Sequence, residues 1–284
     1  MTPRHLPTIA VAAFLLGCSS AKPVSPLLHD QRIAQDAGYS QYALQNWNAA
    51  ARSFQRAADL HNAHDDFVGE AAARHNQARA LQHAGKIDDA IAAYQRALDI
   101  NRRLNRVAEQ SQNLAGLAQC HAERGRINTA IETADRALNI ATNLPAVAVV
   151  LRNDIAALLI QRHETGDLDR AQKLLDAALA GVDGKTPTTA LGVTQLNLGR
   201  LALQAGKAAD ARPRLTKALE TFRACADAVG VATAHETLAR CCAALGDADA
   251  AKFHAEQARQ KFDFLKPPVE PSRNKTGTAG KSKK

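Results

Sequence analysis

Four cysteines outside the N-terminal segment are the side chains in this sequence best suited to nucleophilic or disulfide chemistry. Cys241 and Cys242 are neighbours in a helical pattern, and Cys225 precedes them across a turn. Cys225 and Cys241 are expected to lie roughly 16 Å apart on partner helices, farther than the ~7 Å between Cα atoms that a disulfide requires. Cys120 and His121 are adjacent, so on a helix they point to different faces and do not form a nucleophile–base pair. The pattern predicts small buried hydrophobic residues at these cysteines.

Histidine and carboxylate side chains cluster once, where His61 and His64 precede Asp65 and Asp66. No cysteine or histidine spacing typical of a metal site recurs, so a solvated polar turn is the interpretation that we favour here. The sequence also has no phosphate-binding glycine loop, no serine–histidine–aspartate arrangement and no defined pair of catalytic acids. We therefore predict a protein that is not an enzyme, with no metal and no small-molecule cofactor.

The N-terminus has the pattern of a secretion signal. Basic side chains precede an apolar core over residues 9–16, which is too short to span a bilayer. The core ends in Leu15-Leu16-Gly17-Cys18, which resembles the bacterial lipobox, where cleavage after the small residue leaves a lipidated N-terminal cysteine. The resemblance implies a lipoprotein signal peptide over 1–17, a covalent lipid on Cys18 and a linker over 18–29. An ordinary secretory signal with a chance cysteine is the alternative.

The residue after this cysteine bears on localisation. Ser19 stands where retention in the inner membrane of enteric-type bacteria usually requires aspartate. The resemblance thus implies an outer-membrane lipoprotein that faces the periplasm and contacts the membrane through its lipid anchor. In a host without this sorting rule, the inner or plasma membrane is expected instead.

Small residues return at intervals of 40 or 41 residues along the chain. Two alanine columns lie seven residues apart, and a glycine column precedes the first of them by five residues. A column between the alanines holds a larger side chain in most periods. The first alanine column is Ala50, Ala90, Ala130, Ala171, Ala211 and Ala251, and the second is Ala57, Ala97, Ala137, Ala178, Ala218 and Ala258. The column between them is Phe54, Tyr94, Ala134, Leu175, Leu215 and Ala255. The glycine column is Gln45, Gly85, Gly125, Gly166, Gly206 and Gly246.

These columns have a simple physical meaning. Glycine permits the left-handed conformation that ends one helix before the next begins, and alanine lets two helix axes approach closely. We expect the alanines to lie where the two helices of each pair meet, and Ala251, Ala255 and Ala258 to be buried on the inward side of the last helix. The pattern resembles the tetratricopeptide repeat, a pair of antiparallel helices, although the period is longer than the usual 34 residues.

The resemblance implies an all-α fold, a right-handed α-solenoid of about six helix pairs over residues 30–265. Each pair exposes an apolar stripe, so stacking of the pairs supplies the core. The approximate repeats are 31–70, 71–110, 111–150, 151–191, 192–231 and 232–265.

Relatives in this family bind extended or helical peptides on the face lined by the first helices. On that resemblance, two columns of the first helices supply a peptide groove. Amides there can hold a peptide backbone, and guanidinium groups can pair with carboxylates. The candidate groove residues are Asn76, Arg79, Gln119, Asn197, Arg200 and Arg240. A solvated face without a ligand is the alternative.

The net charge of +8 belongs mainly to the ends of the chain. The segment 266–284 carries six basic side chains against one acid, whereas the repeats are nearly neutral. Nucleic-acid binding requires a basic face on the folded part, so we predict no nucleic-acid partner. We interpret 266–284 as a disordered, solubilising basic tail; contact with an anionic envelope polymer or membrane surface is the alternative.

Together these patterns indicate a membrane-anchored scaffold that binds partner proteins or peptides during assembly of the bacterial cell envelope. The first alternative is a pilotin-like factor for type IV pilus or secretin assembly. A receptor for signalling peptides and an enzyme are the further alternatives.

Overall fold

The structure of the protein is a computed structural model that describes residues 26–184 and 186–265. All regular secondary structure in these residues is α-helical. The helices are α1 (Pro26–Ala43), α2 (Trp47–Asn62), α3 (Phe67–His83), α4 (Ile87–Arg103), α5 (Val107–Glu123), α6 (Ile127–Ile140), α7 (Pro145–Arg162), α8 (Asp167–Ala180), α9 (Thr189–Gln204), α10 (Ala208–Ala224), α11 (Ala228–Ala244) and α12 (Ala248–Leu265). Each packs against the next along the chain, and the prediction of an all-α solenoid of six helix pairs is confirmed.

The turns within the pairs use the glycine column as expected. Gly85, Gly125, Gly206 and Gly246 all have φ between 71° and 77°, and Gln45 adopts a φ of 58° in the first pair. Three of the turns between pairs, α2–α3, α4–α5 and α10–α11, repeat this geometry without glycine. The left-handed residues there are Asp65, Asn105 and Ala226, with φ values of 55°, 53° and 54°.

One turn accounts for the single 41-residue interval. His163, with a φ of 54°, ends α7 directly, and Gly166 follows as the N-cap of α8 instead of closing a three-residue turn. The Arg162 guanidinium donates to both carboxylate oxygens of Asp167 across this turn, over 2.9 and 2.6 Å. These hydrogen bonds lower the pKa of Asp167 below its usual value.

The core is built from the small and large columns together. Both alanine columns are buried from Ala50 to Ala218, and the rings of Phe54 and Tyr94 lie against Gly38 and Gly116. In the last pair the expectation of burial is wrong for two positions. Ala251 is only half-buried and Ala255 is exposed, because no later helix pair among the described residues covers α12.

The histidine–aspartate cluster is more ordered than a solvated turn. Asp66 caps α3 by accepting from the Gly69 N–H at 2.9 Å, and its other carboxylate oxygen lies 2.8 Å from Nδ1 of the buried His61. The interpretation of this segment as a solvated turn is therefore wrong for His61, although His64 is exposed.

The cysteines behave as core residues. Cys120, Cys241 and Cys242 are buried free thiols, and Cys225 is half-buried. Burial raises the pKa of Cys120 to about 12, and the Cys241 thiol donates to the Ala208 carbonyl at 3.3 Å.

The bounds of the elements differ slightly from the sequence expectation. Helix α1 begins at Pro26, inside the predicted linker 18–29, because proline fits the first turn of a helix. The later pairs start a few residues before the predicted repeat boundaries, as at Phe67 rather than residue 71. The predicted signal peptide, Cys18 and the basic tail 266–284 lie outside the described residues. Among the helices that the structure describes, none combines the length and hydropathy of a membrane span.

Candidate binding face

The first helices of successive pairs lie side by side. Helix α3 contacts α5, α5 contacts α7, α7 contacts α9, and α9 contacts α11. We call the side formed by α1 and these helices the inner face. All the candidate groove residues predicted from the sequence belong to these first helices.

Three of these predicted residues are exposed on the inner face. Arg79 of α3, Gln119 of α5 and Arg240 of α11 each present an exposed side chain. The Arg79 guanidinium carbon lies 5.3 Å from the ring centroid of Tyr42 of α1, within the range of a cation–π contact. These three side chains are therefore available to a ligand along the inner face.

The two candidate asparagines are engaged within the protein. Asn76 donates to the Tyr39 hydroxyl at 3.1 Å and so joins α3 to α1. Asn197 is buried, and its amide donates to the backbone carbonyl and the side-chain oxygen of Asn153 at 3.2 and 3.3 Å. Asn197 thus holds α9 to α7 and lies in the seam between helices rather than on the inner surface.

Arg200 is half-buried. Burial lowers the pKa of its guanidinium, while the nearby Glu236 carboxylate raises it and Arg240 lowers it. Glu236 and Arg240 are exposed on α11, one turn apart. The structure therefore brings Arg200 and Arg240 together with an acidic side chain, which partly neutralises the predicted basic strip.

Other polar bridges between first helices were not predicted. Nδ1 of His75 on α3 lies 2.9 Å from the side-chain amide oxygen Oδ1 of Asn113 on α5. Buried Asn153 of α7 donates to the Thr194 hydroxyl of α9 at 2.9 Å. In the sequence, such a hydrogen bond is indicated only by a polar residue at an otherwise apolar position of a helix. That pattern does not identify the helix that supplies the other residue of the hydrogen bond.

Aromatic rings cluster near the ends of α1 and α3. Trp47 and His83 stack with ring centroids 4.7 Å apart, and Tyr42 meets both rings edge-on. Burial, with a smaller contribution from Arg79, lowers the pKa of His83. The guanidinium of Arg79 lies beside this cluster, over the Tyr42 ring.

A cavity of about 180 Å³ opens between α5 and α7. Its walls are mainly alanine and leucine, and its polar lining consists of Gln119, Asp154 and Gln161. Burial raises the pKa of the Asp154 carboxyl to about 6. Asp154 was not predicted as a site residue from the sequence. Its only sequence signal is that a carboxylate stands next to the apolar positions of α7.

The repeat pattern has a recognisable family signature. The sequence profile of the tetratricopeptide repeat matches residues 69–143 and 190–262, which together make up more than half of the chain. The chain belongs to the tetratricopeptide-repeat family. Proteins of this family are generally scaffolds for protein–protein interaction, without a catalytic site of their own.

Several solved structures share this fold. Aspartyl phosphate phosphatase F from Bacillus subtilis superposes with a TM-score of 0.71 at 12% identity, over 87% of this chain and 63% of that protein. A Rap protein in complex with competence and sporulation factor gives 0.67 at 14% identity, over 85% of this chain and 66% of that one. Pseudomonas aeruginosa PilF gives 0.56 at 15% identity, over 84% of this chain and 99% of PilF.

At these identities the structural likeness shows the fold alone. This chain spans less than two thirds of the length of the Bacillus phosphatase. Comparison with curated proteins gives no significant sequence match. Among the described residues there is also no group of three or more histidine, cysteine or acidic side chains placed to hold a metal ion.

Proposed function

We propose that this tetratricopeptide-repeat protein is an adaptor that binds a segment of a partner protein along its inner face. The observation that carries the proposal is the exposure of Arg79, Gln119 and Arg240 on separate first helices of one continuous face. A segment that crosses several helices can contact all three, and a guanidinium can pair with a carboxylate of the segment. The proposal differs from the sequence-based groove because Asn76 and Asn197 are engaged in hydrogen bonds within the protein and Arg200 is only partly exposed.

The test compares partners crosslinked to the protein in its own membrane fraction. An Arg79→Ala, Arg240→Ala double variant should lose the partners that the wild type captures. The matched control replaces Arg56 and Arg136, which are exposed on the second helices α2 and α6. Identical partner sets for the wild type and both double variants would refute a role for the inner face.

The location of this adaptor rests on the N-terminal sequence. We propose that cleavage after Gly17 leaves a lipidated Cys18, and that Ser19 directs the protein to the outer membrane, facing the periplasm. Two or three acyl chains on one residue are enough for stable membrane attachment. Cys18→Ala should move the protein out of the membrane fraction, whereas Cys225→Ala should leave it there. Mass spectrometry that finds Cys18 unmodified in the mature chain would overturn the anchor.

A pilotin-like role in type IV pilus or secretin assembly is the second candidate. It is supported by the likeness to PilF, nearly all of which is covered by this chain, and by the lipobox-like motif at Cys18. A strain that lacks the protein should then fail to assemble secretin multimers in its outer membrane. Normal multimers in that strain would remove this candidate and leave the more general adaptor role intact.

A further inference from the structure

The cavity between α5 and α7 combines apolar walls with a single charged group. Ala118 and Ala122 of α5 and Leu158 of α7 supply part of the apolar wall, and Ala134 of α6 also contributes. Asp154 is the one charged side chain among the lining residues. The space of about 180 Å³ is large enough for a side chain but not for a folded element.

The Asp154 carboxylate has no partner in the part of the chain that the structure describes. No hydrogen bond or ion pair joins it to another described residue. Burial is the cause of its raised pKa, with no contribution from a neighbouring charge on α5, α6 or α7. A half-buried carboxylate without a cation is unfavourable, so pairing with this carboxylate favours the binding of a ligand that carries a positive charge.

We infer that this cavity binds the alkylammonium group of a lysine side chain from a partner segment. The inference rests on the proposed function, since it assumes that such a segment crosses the inner face. An ammonium group donates three hydrogen bonds, and the cavity offers three polar side chains, namely Asp154, Gln119 and Gln161. The four-carbon stem of lysine matches the alanine and leucine walls.

Lysine fits this site better than arginine. A guanidinium has five N–H donors in a rigid plane, and it usually pairs with a carboxylate through two parallel hydrogen bonds. The remaining donors would then face mainly alanine and leucine side chains in this cavity. An ammonium group can be satisfied by one carboxylate and two amide oxygens.

The test uses the full chain and three short peptides, acetyl-Gly-Gly-Xaa-Gly-Gly-amide, in which Xaa is lysine, arginine or norleucine. Norleucine has the lysine stem without the ammonium group. Binding is followed by NMR of carbon-13-labelled alanine methyl groups, with Ala118 and Ala122 as reporters. We expect saturable shifts with the lysine peptide and at least about tenfold weaker binding of the norleucine peptide, as is typical for loss of one charge-assisted pair.

Asp154→Asn keeps the side-chain shape and should weaken the lysine peptide by at least about tenfold, with little effect on the norleucine peptide. The matched control is Asp36→Asn, an exposed aspartate on α1 of the same face. Equal binding of the lysine and norleucine peptides, or unchanged lysine binding by Asp154→Asn, would overturn the inference. Tighter binding of the arginine peptide would also overturn the choice of lysine.

A second measurement needs no variant of the cavity. Since protons compete with the ammonium group for a carboxylate with a pKa of about 6, lysine-peptide affinity should fall by roughly tenfold between pH 7.5 and pH 5. An affinity that does not change over this range would contradict the inference.

The basic tail of the chain is the competing occupant. Replacement of Lys281, Lys283 and Lys284 by glutamine should leave the affinity for the lysine peptide unchanged. A gain in affinity would show that the chain fills its own cavity, and would overturn binding of a partner lysine. These peptides do not reach Arg79 or Arg240. Failure of the lysine peptide to bind would therefore rule out the lysine site, while the crosslinking test of the adaptor role remains independent.

Discussion

Replacement of Asp154 by asparagine is expected to stabilise the protein at neutral pH. The wild-type carboxylate is ionised at pH 7 although it lies half-buried in an apolar cavity without a cation. Asparagine keeps the size and the hydrogen-bonding edge of the side chain and removes the charge. The free energy of unfolding should therefore rise at pH 7.5 and change little at pH 4, where the wild-type carboxyl of the folded protein is protonated.

The magnitude follows from the shift in the pKa. Burial raises the pKa of Asp154 from 3.8 to about 6, which is roughly two units and corresponds to at most about 3 kcal/mol. A carboxyl with a higher pKa in the folded state binds its proton more tightly when folded, so stability falls as the pH rises from about 4 to 6. Because water reaches the half-buried group, we expect about 1–2 kcal/mol of stabilisation by Asp154→Asn at pH 7.5.

The assay is urea unfolding of the wild type and the variant at pH 4 and pH 7.5, followed by circular dichroism. The difference between the two proteins is the informative quantity, since it cancels the other groups that titrate in this range. Asp36→Asn, which removes an exposed charge, should shift stability by less than about 0.5 kcal/mol at either pH. Equal stability of the wild type and Asp154→Asn at pH 7.5 would refute the idea that the ionised Asp154 carboxylate destabilises the folded protein.

Three further predictions concern the turns, the core and the response to acid. Gln45→Gly should raise the free energy of unfolding by about 1 kcal/mol, because glycine adopts the left-handed φ of 58° without strain; no gain in thermal stability would contradict this. Gly116→Ala should destabilise by about 1–3 kcal/mol in urea unfolding, because the added Cβ would overlap the Tyr94 ring, and a neutral result would show that the ring moves freely. Burial lowers the pKa of His235 to about 4, so the folded state keeps this histidine neutral and stability is lost as the pH falls from about 6.5 toward 4. His235→Gln should remove up to about 3 kcal/mol of that acid destabilisation, as measured by unfolding at pH 7 and pH 4.5, with a substitution of the exposed His64 as the matched control.

The sequence alone determined the parts of this protein that depend on neighbours along the chain. A glycine after a helix marks a left-handed turn, and two alanines seven residues apart mark a close approach to the adjoining helix. These requirements are local, so they repeat with the period and show the number of helix pairs. Even here the sequence missed the left-handed turns between pairs, because Asp65, Asn105 and Ala226 share no residue type.

The binding face depended on tertiary structure. Asn76 and Asn197 occupy the same column of the repeat, yet Asn76 is half-buried and Asn197 is buried. The reason is that α9 packs more closely against α7 than α3 packs against α5, and the spacing of small residues does not encode how closely successive pairs stack. Asp154 shows the same limit, since its isolation follows from the alanine and leucine side chains that α5 and α7 place around it. Periodicity therefore reveals which helices pair, whereas the packing between pairs decides which polar side chains remain free to bind.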